Sequence, residues 1–314
     1  MNPSFQPSGP ELSIVVPVFN SEGCLGELAK RLHDVLDNYA PFELIFVDDG
    51  SADGSWKVIR DLCRVDPAIK GLSLMKNSGQ DNALMAGLNA SRGHVVVIMD
   101  DDLQHDPQDI PNLHAACREG HHICYALFRT KKQAWWKNFG SWLNGKAAEL
   151  LINKPPHVYL SPFQAIRREV VDEVVKYKGP YPYVQGLLLR LTSNVTQVDA
   201  EHHTRHRGSS NFTFFRSLRV FMHLATSFSV VPLRFAIFLG LFFTLLSFVA
   251  IPVYLVMHFV GGERVPGFTT LVLFNLLIGG LVLLSLGIIG EYLGRMYLTI
   301  NAKPQFVIGE KLNI

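Results

Sequence analysis

VVVIMDDDLQHDP, residues Val95 to Pro107, runs five apolar residues directly into three consecutive acids. The apolar run has the length and β-branching of a buried strand, so the acids fall where a strand leaves the core. Adjacent carboxylates repel, and each loses hydration near a core, so something positive must compensate them. A divalent cation is the simplest candidate. On an extended segment alternate side chains share a face, so Asp100 and Asp102 point together while Asp101 faces away. Two carboxylates plus phosphate oxygens suit a hard, six-coordinate ion, Mg²⁺ or Mn²⁺. The competing local explanation is helix capping, for which Asp106 before Pro107 is well suited. That accounts for Asp106 and leaves the triplet unexplained.

Outward from this stretch, apolar β-rich runs alternate with helical patterns. LSIVVPV (Leu12–Val18) precedes a helix around Glu22–Asn38, and ELIFVDD (Glu43–Asp49) one from about Asp53 to Val65. GLSLM precedes GQDNALMAGLNAS, and HVVVIMD precedes PQDIPNLHAACREG. Such alternation predicts an α/β domain, a Rossmann-like and mostly parallel sheet with right-handed crossovers. Polar residues recur after each strand: Asn20, Asp48 with Asp49, Asn77, and the acidic triplet. Carboxyl ends of strands are where open α/β sheets bind ligands, and four polar ends on one rim suit a nucleotide.

Other motifs are weaker. The first strand leads into PVFNSEG rather than a G-x-G-x-x-G turn. Gly140 to Lys146 fits G-x-x-x-x-G-K, but Ala147 stands where a hydroxyl would hold Mg²⁺, and the flanks read as one helix. His202, His203 and His206 read as a polar loop more readily than as metal ligands. Cys24, Cys63, Cys117 and Cys124 show no CxxC spacing and read as free thiols in a reducing compartment.

The formal net charge of +2 over 314 residues gives no reason to expect a nucleic-acid partner. After about Val230 two runs, Phe235–Met257 and Phe268–Gly290, contain no Asp, Glu, Lys or Arg. Each would be a helix of about 34 Å, enough to cross a bilayer core. Arg216, Arg219 and Arg234 precede the first run, and Arg295, Lys303 and Lys311 follow the second. The N-terminal residues lack a signal-peptide pattern. The expectation is a two-span membrane protein with its large N-terminal domain and both termini cytoplasmic. In residues, that is a domain over 1–210, an amphipathic interfacial region over 211–234, spans at 235–257 and 268–290, and a tail over 291–314. KKQAWWKNFGSWLNG, Lys131 to Gly145, mixes lysines with tryptophans and reads either as a headgroup contact or as a packed helix with a basic face.

VVPVFN, FVDDGSADGS, NSGQDNALMAG and DDDLQHDP, with RHRGSSNFT before the spans and GEYLGRMY after them, resemble family 2 glycosyltransferases of the GT-A fold. The fuller match, from about Leu12 to Phe306, is similar to polyprenyl-phosphate glycosyltransferases. The resemblance implies that Pro17, Phe19 and Asn20 shape the base-binding edge and that Asp49, with Asp48 beside it, contacts the nucleoside. It places Gln80 and Asp81 at the start of a helix under the diphosphate, and Asp101 and Gln104 with the nucleotide-sugar. Asp100, Asp102 and Gln104 would hold the metal, which bridges two phosphates and eases departure of the nucleotide. Glu22 has no clear counterpart, because the family often has Asn-Glu where Asn20-Ser21-Glu22 stands.

Many inverting members use a carboxylate base, yet no acid occurs between Glu173 and Asp199. A phosphate monoester acceptor removes the need, being already anionic near neutral pH with a second pKa of about 6. It needs cations to hold it, for which arginine is suited. By resemblance these are Arg129 and Arg205, with Arg207 and Ser210, while Ser210-Asn211-Phe212 replaces a common Ser-Lys-Tyr. Arg207 reads equally as a solvated surface charge. The expected activity is transfer of one sugar from a nucleotide-sugar, UDP-linked by expectation, to undecaprenyl phosphate for cell-envelope glycan modification. Homo-oligomers are expected, since relatives often assemble through their membrane parts. The rivals are a processive polysaccharide synthase, whose Q-x-x-R-W is broken here at Gln164-Ala-Ile-Arg167-Arg168, and a non-catalytic nucleotide-sugar-binding protein.

Overall fold

The structure is a computed structural model that describes residues 9–128, 158–179, 182–200, 233–234, 236–243, 245, 249, 252, 256, 267–301 and 304–314. The chain divides into two compact units, Met1–Asn211 with Ala302–Ile314, and Phe212–Asn301.

In the first unit, β1 (Leu12–Val18), β2 (Phe42–Asp48), β3 (Ile69–Leu74) and β4 (Val95–Ile98) alternate with α1 (Leu25–Leu36), α2 (Ser55–Val65) and α3 (Gln80–Ala90). A short 3₁₀ turn at Pro107–Asp109, α4 (Ile110–Arg118), β5 (Ile123–Phe128), β6 (Gln164–Arg167), α5 (Arg168–Val174), α6 (Val184–Leu191) and β7 (Val195–Ala200) follow. The described strands form one sheet in the order β7-β5-β6-β4-β1-β2-β3-β8, where β8 is Ile308–Leu312. β1, β2, β3 and β4 pair in parallel, as do β5 and β7, whereas β6 and β8 run antiparallel to their neighbours.

The periodicity of the sequence explains the layering. Every residue of β1 is buried, as a central strand covered on both faces requires. α1 buries Leu25, Leu28, Ala29, Leu32 and Leu36, one stripe at helical spacing. Phe46, Tyr125 and Phe163 are the largest side chains wholly inside. The opposite ends of the strands are closed by Glu43, whose buried carboxylate accepts from the Ser13 hydroxyl, from Lys70 and from the Arg92 backbone N–H at 2.6 Å.

Two expectations change. The strand expected over HVVVIMD ends at Ile98, and residues 101–103 form a bend in which Leu103 adopts φ +62°. Alternation therefore does not set the directions of the three acids. The last residues, expected as a tail, include β8, which pairs with β3 through Leu72 opposite Lys311. Glu310 there accepts from Trp56 Nε1 at 3.0 Å and Arg60 at 2.9 Å, and Asn313 Nδ2 donates to the carbonyls of Cys63, Asp66 and Ile69.

In the second unit, α7 (Phe268–Ile300) is 33 residues long, about 50 Å at ~1.5 Å per residue. It contains the second apolar run and continues past Gly290 through Glu291 and Arg295. Among the described residues one helix is long and apolar enough to cross a membrane, over Leu277–Ile300, where two spans were expected. Residues 236–243 of the first run are helical, and much of the rest of that run lies outside the described residues.

Candidate active site

The sheet order reverses between β1 and β4, and the loops leaving β1, β2, β3 and β4 meet at their carboxyl ends, the place where such sheets bind ligands. Pro17 is compatible with a central strand only because of where β4 stops. The Val15 carbonyl accepts from Met99 N–H at 3.2 Å, so Pro17, two residues on, faces the same side beyond the last paired residue of β4 and lacks nothing by having no N–H.

The first two loops are laced together. Asn20, at φ +55°, donates its backbone N–H to Ser51 Oγ at 3.0 Å, and its Oδ1 accepts from Ala52 N–H at 2.8 Å. Glu22 Oε2 accepts from Gly54 N–H at 3.1 Å while Glu22 N–H donates to Asp53 at 3.1 Å. Glu22 thus has a structural partner that the motif comparison did not reveal. Phe19 stands 50% exposed on this edge, an open aromatic face.

Asp48 and Asp49, 2% and 4% exposed, shape the second loop. Asp49 accepts from Ser78 N–H at 2.6 Å and Gly79 N–H at 2.8 Å, drawing the third loop against the second. Burial raises its pKa, opposed by those two donors. Asp48 accepts from Ser51 N–H at 3.3 Å. Gly50 lies between them at φ +69°, and a Cβ there would sit 2.7 Å from the Asn77 nitrogen, so the close approach excludes a side chain.

Asp49 positions the start of α3, where Gln80 Nε2 donates to Asp100 Oδ1 at 2.9 Å. Asp81, the next residue, turns elsewhere: its Oδ1 accepts from Val184 N–H at 3.0 Å and caps α6. Burial raises the Asp81 carboxyl, and burial with Asp81 nearby pushes the Tyr183 hydroxyl up to about 12.

The acids part company. Asp100 meets Gln80, Asp101 Oδ2 accepts from Phe19 N–H at 3.4 Å beside the Ser21 hydroxyl, and Asp102 Oδ1 accepts from Gln104 N–H at 3.2 Å. Burial raises the Asp101 carboxyl. Asp106 accepts from Gln108 N–H at 2.9 Å ahead of Pro107, the cap that sequence suggested. His105 was missed by sequence reading. It is 5% exposed and its Nδ1 accepts from Asp100 N–H at 3.1 Å. A histidine inside an acidic strand-end motif was the available signal.

No group of three His, Cys, Asp or Glu side chains converges on one point among the described residues. Asp100, Asp102 and Gln104 offer hard oxygen donors on one short loop, a set that fits an ion of Mg²⁺ or Mn²⁺ type completed by phosphates and water. Arg129, Arg205, Arg207 and Ser210 lie outside the described residues. So do the histidine cluster, the Lys131–Gly145 stretch and the amphipathic region at 211–228. Gln164 and Arg167 open and close β6, with Gln164 wholly buried. None of the four cysteines forms a disulfide, and Cys63, Cys117 and Cys124 are buried.

The profile of the family described as glycosyl transferase family 2 matches residues 13–175. The uncharacterized glycosyltransferase YkcC of Bacillus subtilis is 30% identical over 97% of this chain and 95% of its own length. The undecaprenyl-phosphate 4-deoxy-4-formamido-L-arabinose transferase of Pseudomonas aeruginosa is 30% identical over 95% of this chain and 89% of its own. Among solved structures, glucosyl-3-phosphoglycerate synthase from Mycobacterium tuberculosis, in complex with Mn²⁺, uridine-diphosphate-glucose and phosphoglyceric acid, superposes with a TM-score of 0.50. It is 21% identical, over 70% of this chain and 79% of that one. That likeness is one of fold.

Proposed function

The chain belongs to glycosyl transferase family 2, and from that membership we propose that it transfers one sugar from a nucleotide-sugar to a polyprenyl phosphate, with inversion at the anomeric carbon. The donor is a UDP-sugar, the acceptor undecaprenyl phosphate, and the product a lipid-linked sugar for cell-envelope glycans. The observation that supports the reading is that Asp100, held by Gln80, and Asp102, beside Gln104, lie on one short loop at the switch point of the sheet. The relative from Pseudomonas aeruginosa supports the acceptor class through its name, and the Mycobacterium tuberculosis structure supports Mn²⁺ with a UDP-sugar on this fold.

In this reading Phe19 and Asn20 border the base, and Asp48 and Asp49 hold the loops that frame the nucleoside. Asp101 braces the β1 loop, and Gln80 orients Asp100. Asp81 acts through its cap on α6, so its part is to position the helix start beside the donor. Asp100, Asp102 and Gln104 hold a divalent cation, Mg²⁺ or Mn²⁺, which when bound supplies Lewis-acid stabilisation of the leaving diphosphate. Arg129 and Arg205, with Arg207 and Ser210, hold the acceptor phosphate, whose own anionic oxygen attacks. The stretch between Glu173 and Asp199 has no carboxylate to act as base, which suits an acceptor that needs none.

The second unit anchors the enzyme. Leu271, Phe274, Ile278 and Leu283 are exposed on α7, apolar surface that a bilayer would cover. Two spans at 235–257 and 268–290, with flanking arginines and lysines on the cytoplasmic side of a bacterial inner membrane, complete the arrangement, and copies associate through this part.

The test is purified protein supplied with undecaprenyl phosphate, Mg²⁺ or Mn²⁺, and a panel of nucleotide-sugars, with lipid products identified by mass spectrometry. One sugar per lipid from one donor is expected. Long chains, or no glycolipid from any donor beside an active control, would overturn the reading.

A further inference from the structure

The loop from Asp100 to His105 carries all three residues assigned above to the cation. The β4 ladder gives out at Met99, whose N–H reaches Val15. The next backbone donor, Asp100 N–H, meets His105 Nδ1 at 3.1 Å. With Nδ1 accepting, a neutral ring carries its proton on Nε2. That nitrogen lies 3.9 Å from Oδ2 of the same Asp100. The imidazole therefore bonds the Asp100 backbone and lies near, though beyond hydrogen-bond distance of, its carboxylate.

The ring itself is held. It stacks on Phe163 with centroids 5.0 Å apart and planes within 11°, and on Phe128 at 5.8 Å and 5°. Phe163 is wholly buried and immediately precedes β6, which pairs with β4. Between the two ends of the loop, Leu103 at φ +62° and the Asp102 to Gln104 N–H contact turn the chain back on itself. The result is a six-residue loop closed at its base by a side chain whose own position is fixed by the core.

We propose that His105 is a positioning residue for this loop, holding the Asp100 backbone in place so that the loop has less freedom to lose when a divalent cation binds. The proposal deepens the reading of Asp100, Asp102 and Gln104 as the cation site and rests on it. Groups that orient a metal's ligands commonly change affinity 10- to 100-fold when removed, and an amide left without its acceptor would favour other loop shapes.

The test compares Mn²⁺ affinity, read by electron paramagnetic resonance on the full-length protein in the presence of UDP, across three variants. His105→Phe keeps an aromatic ring for the stack and removes the acceptor. His105→Asn places Oδ1 near the position of Nδ1 and restores it. His105→Gln carries its amide one bond further out and does not. Mn²⁺ affinity is expected to fall about 10- to 100-fold in His105→Phe and His105→Gln and to recover most of the loss in His105→Asn. Wild-type affinity in His105→Phe would overturn the proposal. Should that variant not fold, equal affinities in the Asn and Gln variants would do so. Wild-type protein that binds UDP but no Mn²⁺ would sink the cation-site reading itself, and the proposal with it.

Discussion

At the scale of single residues, the buried carboxylates fall into two groups with opposite pH behaviour. Burial alone would raise the Glu43 pKa, but Lys70, the Ser13 hydroxyl and the Arg92 amide together hold it below the usual glutamate value. The folded state then binds fewer protons than the unfolded one, so this contribution is present above the unfolded pKa of about 4.3 and is lost as pH falls through the folded value. Glu43→Gln should lower the unfolding temperature at neutral pH and flatten its decline on acidification, checked by thermal melts across pH. Asp81 is the reverse. Burial raises its pKa, so its contribution weakens as pH rises through the window above about 4. Asp81→Asn keeps an oxygen for Val184 N–H without the buried charge, and a higher melting temperature at pH 7 is expected. A lower one would show that the charge itself is used. The cysteines give a third case. Burial pushes Cys63 up to about 11, and Cys117 and Cys124 up to about 12, so few thiolates form near neutrality. Alkylation of folded protein should modify half-buried Cys24 well before the other three, as peptide mass mapping would show.

At the scale of elements, β8 closes an edge that β3 would otherwise leave open. Asn313, at φ +58°, reaches three carbonyls and suits the left-handed conformation. Asn313→Ala should destabilise the first unit by about 1–3 kcal/mol, the range for polar groups left unpaired, read as a fall in the unfolding midpoint. No change would mean that this clasp is dispensable. Neither β8 nor its clasp was legible in the sequence. IGEKL is short and alternates half-buried with exposed residues, which a solvated tail does equally well. The β1 to α3 alternation was legible because the apolar runs are mostly buried, that of β1 wholly so. The end of β4 was not, since it is set by β6, a four-residue partner more than sixty positions away in the chain. That is why the acids were legible at a strand end while alternation could not set their directions. Asp81 shows the same limit: its helical position could be read, but the amide it caps is 103 residues further on.

At the scale of the whole molecule, one unit presents an acidic rim at strand ends and the other a long helix with exposed apolar side chains. Composition made both legible, and it also made the missing carboxylate between Glu173 and Asp199 visible. The fold adds the interlocking of the four loops, which explains why Asn20, Glu22, Asp49 and Gly50 stand where they do. On the proposed reading, Asp102→Ala should leave the melting temperature within a few degrees of wild type and reduce transfer at least a hundredfold, because it removes a proposed cation ligand along with its contact to Gln104 N–H. The central claim joins a cation held at the strand ends to an acceptor that brings its own charge. It is tested most directly by the initial rate of glycolipid formation from undecaprenyl phosphate and from the uncharged alcohol, each with Mn²⁺ and after chelation. The account predicts product only with the phosphate and the metal together. Equal rates after chelation, or a preference for the alcohol, would contradict it.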